Sequence, residues 1–125
     1  MSKLRSLTCI AIVLVAGHAR AACVGPPDVI EACQEVDTAD AELNKAFRDL
    51  IDQLDSPAIG LEAHNAAAKK SLVAAQRSWL EFRDKDCLAV FDIADGTSRV
   101  ALSASCEAEH DLLRAKQLRN MANGL

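Results

Sequence analysis

Asp40 and Asn44 stand one helical turn apart and are the side chains best spaced for joint chemistry. A carboxylate and an amide on one helix face can together accept and donate hydrogen bonds to a third group. Arg83, Asp84 and Arg114 are the candidate partners supplied by the rest of the chain. A buried Asp–Arg pair is held by charge-assisted hydrogen bonds, and deleting one partner strands a costly charge. Two readings follow: a structural polar clamp that fixes helix register, or a recognition or catalytic pocket.

Other chemistry finds little support in the residues. His64 and His110 share no His-x-x-x-His spacing, and no Cys-x-x-Cys occurs. His64 reads as a residue of a solvated face and His110 as a half-buried one. There is no Gly-x-Ser-x-Gly elbow, no glycine-rich phosphate loop and no tyrosine. The carboxylates are scattered along helices rather than paired for glycoside hydrolysis. The expectation is a protein with no catalytic residues, no metal and no cofactor.

The elements that position these groups are helical. Pro26-Pro27 opens the first segment, a proline suiting the opening turn, with Asp28 and Glu31 near the positive end of the helix dipole. Val36, Asp40, Leu43, Phe47, Leu50 and Leu54 follow at spacings of four and three, an apolar face interrupted by one acid. Thr38 could divide this segment in two. Ser56 can cap a second helix with Pro57 at its first position, although Gly60 moves the start toward Leu61. The alanine-rich stretch from Ala63 to Ala75 has high helix propensity and leads into Trp79 and Phe82. Leu72, Ala75 or Gln76, Trp79, Phe82 and Asp86 trace its expected buried stripe. Asp95-Gly96-Thr97-Ser98 is the clearest turn, and a last helix runs from about Arg99 to Met121. No segment alternates as a strand does, so the expected fold is all-α: a small antiparallel bundle or hairpin of three to four helices.

Targeting and cysteine usage agree with each other. Lys3 and Arg5 precede an apolar run from Leu7 to Gly17, and Ala19-Arg20-Ala21 has the small-x-small form of a signal-peptidase site. This predicts a signal peptide over residues 1–21, cleavage after Ala21, and a periplasmic or secreted domain over 22–125. The residues before Cys23 lack the aliphatic position of a lipobox, so no lipoprotein is expected, nor any membrane insertion after cleavage. Cleavage removes Lys3, Arg5 and Arg20, taking the 14 basic residues to 11 against 18 acidic ones and the net charge from −4 to −7. Such a domain disfavours nucleic acid and anionic membranes and attracts cationic partners.

Cys23, Cys33, Cys87 and Cys106 remain in the mature chain, an even set that an oxidising compartment turns into two disulfides. Cys87 lies nine residues before Gly96 and Cys106 ten after it, so a hairpin brings them level. Cys23 and Cys33 then pair with each other, although sequence leaves the other two connectivities open.

Several of these pieces together resemble the lysozyme inhibitor LprI-like N-terminal domain family. They are Cys23 and Cys33, Asp40-Ala41-Glu42-Leu43-Asn44 with Phe47, Gln76-Arg77-Ser78-Trp79-Leu80 with Phe82-Arg83-Asp84 and Cys87, the Asp95–Ser98 turn, and Cys106 with Arg114 and Leu118. Asp111 and His110 depart from the family pattern, which commonly has threonine and an apolar residue there. The resemblance implies an exported all-α domain stapled by two disulfides, with inhibition of lysozyme as the named activity and a basic lysozyme as the protein partner. Asp95, Gly96, Thr97, Ser98 and Arg99 form the polar turn expected to occlude a carboxylate-bearing cleft. The alternative is a structural or stress-related periplasmic module that binds a cationic peptide or envelope component without inhibiting anything.

Overall fold

The computed structural model describes residues 24–56 and 58–125. They form three helices: α1 (Pro27–Asp55), α2 (Glu62–Ile93) and α3 (Ser98–Ala122), with no strand among the described residues. Val36 and Ala39 cluster with Ala108, while Leu43 to Leu54 cluster with Ala115 and Leu118, so α1 and α3 run parallel. The Cys87–Cys106 disulfide and the Arg83–Asp111 pair set α2 antiparallel to α3. The all-α expectation therefore holds as an up-down-up bundle of three helices. The expected signal peptide, Cys23 and hence the Cys23–Cys33 pairing lie outside the described residues, so one of the two expected disulfides is described. No described helix is long and apolar enough to cross a membrane.

α1 is unbroken. The hydroxyl of Thr38 donates to the Gln34 carbonyl at 2.9 Å and the helix continues past it. Its buried positions are Val29, Ala32, Val36, Ala39, Leu43, Ala46, Leu50 and Leu54. Val29, Val36, Leu43 and Leu50 recur every seventh residue, with Ala32, Ala39 and Ala46 recurring between them. That is a coiled-coil seam in which large and small side chains alternate. α3 answers with Ala104, Ala108, Asp111, Ala115, Leu118 and Ala122 at the same three-and-four spacing. The alanines let the two backbones approach more closely along their length than any other pair of helices. Of the expected stripe, Val36, Leu43, Leu50 and Leu54 are buried as read, but Ala39 and Ala46 take the places expected for Asp40 and Phe47, because small side chains mark the centre of the face. Asp40 and Phe47 sit half-buried at its edge, and Phe47 packs against the core from there.

α2 begins at Glu62, after Gly60 turns the chain with φ 91° and donates its N–H to the Glu62 carboxylate at 3.0 Å. Ser56 ends α1 instead of capping α2, and Pro57 lies outside the described residues. The buried residues of α2 are Asn65, Gln76, Arg83 and Cys87. The expected stripe is thus corrected: Gln76 is buried and Leu72 and Trp79 partly so, but Phe82 is 54 % exposed and Asp86 is exposed. Advancing by seven and four from Gln76 turns Arg83 and Cys87 inward, which carries Phe82 to the flank. The Asp95–Ser98 turn forms as expected, with Gly96 at φ 68°, and α3 starts at its end.

Candidate functional site

Arg83 is the centre of the polar cluster. Its position on the inner face of α2 drives the guanidinium between the helices, where one Nη donates to Asp111 Oδ1 at 2.7 Å. Nε and the other Nη donate to Asp84 Oδ1 at 3.1 and 2.8 Å, and Asp40 Oδ1 lies 4.0 Å from Nη1. Asn44 Nδ2 donates to Asp40 Oδ2 at 2.8 Å, which orients that carboxylate. Burial alone would push the Arg83 guanidinium down, but hydrogen bonds and charge from Asp111 and Asp84 outweigh it and hold it above its ordinary value. Asp111 is 0 % exposed, and the pair ties α2 to α3 at one register.

Arg114 lies one turn further along α3 and makes a different set of contacts. Its Nε donates to Gln76 Oε1 and its Nη1 to Gln117 Oε1, both at 3.0 Å. Burial pushes this guanidinium below its ordinary value, and both of these hydrogen-bond partners are amides rather than carboxylates. Both guanidinium carbons lie 5.8 Å from the Trp79 ring centroid, each in a cation–π arrangement with it. His110 meets Trp79 and Phe82 edge-on, with centroids at 6.4 and 5.6 Å, and its Nε2 is 2.8 Å from Asp86 Oδ2.

Of the residues expected to cooperate, Asp40, Asn44, Arg83 and Asp84 do come together. Arg114 belongs instead to the Gln76–Trp79–Gln117 group beside them. Asp111, the fully enclosed partner, was not among the expected clamp residues. Its signal was available: an acid in the midst of the Ala104, Ala108, Ala115, Leu118 repeat has no reason to be there unless a cation meets it. Leu43 is buried in the main core, and Trp79 packs against it from the side.

Near this cluster the Cys87–Cys106 disulfide spans 5.6 Å between Cα atoms, as the hairpin reading required. The two sulfurs and a His110 ring nitrogen lie within 4.8 Å of one another, but sulfurs joined in a disulfide offer no thiolate to a metal. Ser103 Oγ donates to the Cys87 carbonyl at 3.0 Å and reinforces the same crossing.

The turn beyond it is internally braced. Asp95 Oδ1 accepts from the Gly96 N–H at 2.7 Å, and Ser98 Oγ donates to the Asp95 carbonyl at 3.1 Å. Thr97 is exposed at the apex. The Arg99 guanidinium stacks on Phe91, 3.8 Å from the ring centroid, with Asp92 3.7 Å away. The polar cluster and this turn are therefore separate places: one enclosed between helices, the other at the end of the bundle.

Comparison with known proteins places the chain in context. The model of a family described as Lysozyme inhibitor LprI matches residues 27–118. The uncharacterized protein R02472 of Rhizobium meliloti (strain 1021) is 34 % identical over 94 residues, covering 72 % of this chain and 68 % of that protein. The uncharacterized protein YecT of Escherichia coli (strain K12) is 34 % identical over 71 residues, 54 % of this chain and 44 % of its own length. No solved structure matches.

Proposed function

Because the chain belongs to the Lysozyme inhibitor LprI family, we propose that it is an exported binding protein that inhibits a lysozyme-type muramidase. Family membership over residues 27–118 carries this reading. The distribution of charge supports it. α1 holds nine acidic residues against Lys45 and Arg48, whereas acids and bases nearly balance in α2 and α3. Animal lysozymes are basic, and a one-sided acidic helix would speed encounter with them.

In this reading residues 1–21 are a signal peptide, and the domain over 22–125 works in the periplasm or outside the cell, where Cys87–Cys106 stays oxidised. The Arg83–Asp111–Asp84 cluster, with Asp40 and Asn44 at its rim, is a structural clamp rather than a catalytic centre, consistent with the enclosure of Arg83 and Asp111. The Asp95–Arg99 turn is the segment that occludes the partner's cleft.

Muramidase turnover measured with an excess of the purified, oxidised mature protein tests the proposal. Inhibition of at least one basic enzyme is expected, and undiminished turnover of animal and bacterial enzymes alike would remove it. The acidic α1 also fits a module that binds a cationic peptide or envelope component without inhibition. Recovery of a single non-lysozyme partner from envelope extract, with turnover unaffected, would favour that reading.

A further inference from the structure

We infer that the end of the bundle formed by the α2–α3 turn and the start of α1 is a docking surface for a strongly basic protein. The identity of that partner as a muramidase rests on the inhibitory reading; the surface itself rests on what the fold brings to this end. α1 and α3 run parallel, so both begin where α2 finishes. Val24, Ile30, Ile93, Val100 and Leu102 are all exposed there, Ile93 to 84 %. Single exposed aliphatic residues are ordinary, but five within about two turns of one end leave that end with more apolar surface than isolated residues would.

The charge around that patch identifies the occupant. Residues 24–37 and 88–102 carry Asp28, Glu31, Glu35, Asp37, Asp92 and Asp95 against Arg99 alone. Helix stability does not account for this set. Asp28 suits the positive end of α1, but Glu35 and Asp37 lie beyond the reach of the first turn. Asp92 stands in the last turn of α2, where the helix dipole disfavours an acid, and of the six it is the one that faces Arg99, 3.7 Å away. The opposite end also exposes aliphatic residues, including Ile59 and Met121, yet its charges are mixed in sign, with Lys69 and Lys70 beside Asp55 and Glu62. An end that combines exposed apolar side chains with a net negative charge is complementary to a cationic protein surface. The end is also held ready: the disulfide, the Ser103–Cys87 hydrogen bond and the Arg99–Phe91 stack fix the hairpin before any partner arrives.

Association kinetics of the oxidised protein with a panel of basic animal lysozymes and bacterial muramidases test the inference. The variants are Glu31→Lys/Glu35→Lys and Ile93→Ser at the proposed surface, with Asp49→Lys/Asp52→Lys and Ile59→Ser at the opposite end. All replace exposed side chains, and circular dichroism confirms that each keeps its helices. The double charge reversal should slow association about tenfold at low salt and flatten its salt dependence. Ile93→Ser should speed dissociation roughly fivefold, while the opposite-end variants stay within about twofold of the parent. Equal losses at both ends, or none at the proposed end, would overturn the surface. Binding that follows the predicted pattern without inhibition would remove the inhibitory reading and leave the surface standing. Inhibition that survives both surface variants would do the reverse, and no binding to any enzyme would remove both.

Discussion

The α1–α3 seam and the α2–α3 seam join helices of similar length by opposite means. Between α1 and α3 lie valines, leucines and alanines in a seven-residue repeat, with Asp111 the one acid. The inner face of α2 presents Asn65, Gln76, Arg83 and Cys87, held by an ion pair, an amide–guanidinium bond, a tryptophan and a disulfide. Apolar burial is non-directional and scales with area, so the first seam contributes adhesion. The Arg83 fork holds Asp84 on its own helix and leaves one Nη aimed at the enclosed Asp111, a directional bond, so the second seam contributes register. The lesson is a division of labour: one interface keeps the bundle folded, and the other fixes where α2, and the turn that follows it, must stand.

Substitutions can break that comparison at either seam. The largest effect is expected from Asp111→Ala, which leaves Arg83 buried without its enclosed partner and should cost about 3–5 kcal/mol in denaturant unfolding. Leu43→Ala, in the aliphatic seam, should cost about 3 kcal/mol through lost burial and the cavity left behind. Replacing Cys87 and Cys106 together by alanine opens a loop of sequence separation 19, for an expected loss near 3 kcal/mol and a lower melting temperature. That loss should appear first as faster amide exchange around the α2–α3 turn, with the α1–α3 seam protected longest. The smallest effect belongs to Lys69→Ala, since its pair with Asp55 is solvent-exposed and worth less than about 1 kcal/mol in thermal melts. Both arginine shifts lie at the alkaline edge, so neither seam should weaken between pH 6 and 9, roughly, through loss of arginine charge.

Much of this fold was legible before any coordinates. The turn around Gly96 and the equal spacing of Cys87 and Cys106 about it pointed directly to the hairpin and its disulfide. The helix boundaries followed from proline, glycine and propensity, including the start of α2, which took the Leu61 alternative after Gly60 rather than the Ser56-Pro57 signal. The faces were harder. Ala39 and Ala46 look neutral in a sequence, yet small side chains are what a close helix crossing needs, so Asp40 and Phe47 were read in their places while Val36, Leu43, Leu50 and Leu54 were read correctly. Phe82 was expected to be buried because it is aromatic, and Arg83 won the inner position because Asp111 compensates its charge. That compensation is a contact across 28 residues of sequence, which local periodicity cannot reveal.

The central claim is that the buried ion pair is a structural device and that partner recognition lies elsewhere. The decisive measurement is a double-mutant cycle on Arg83→Met and Asp111→Leu, read by both unfolding free energy and muramidase inhibition. Each single change should destabilise strongly, while the double variant should recover to within roughly 1–2 kcal/mol of the parent and inhibit as well as it does. A double variant that folds as stably as the parent but no longer inhibits would contradict the account and move the functional site into the polar cluster.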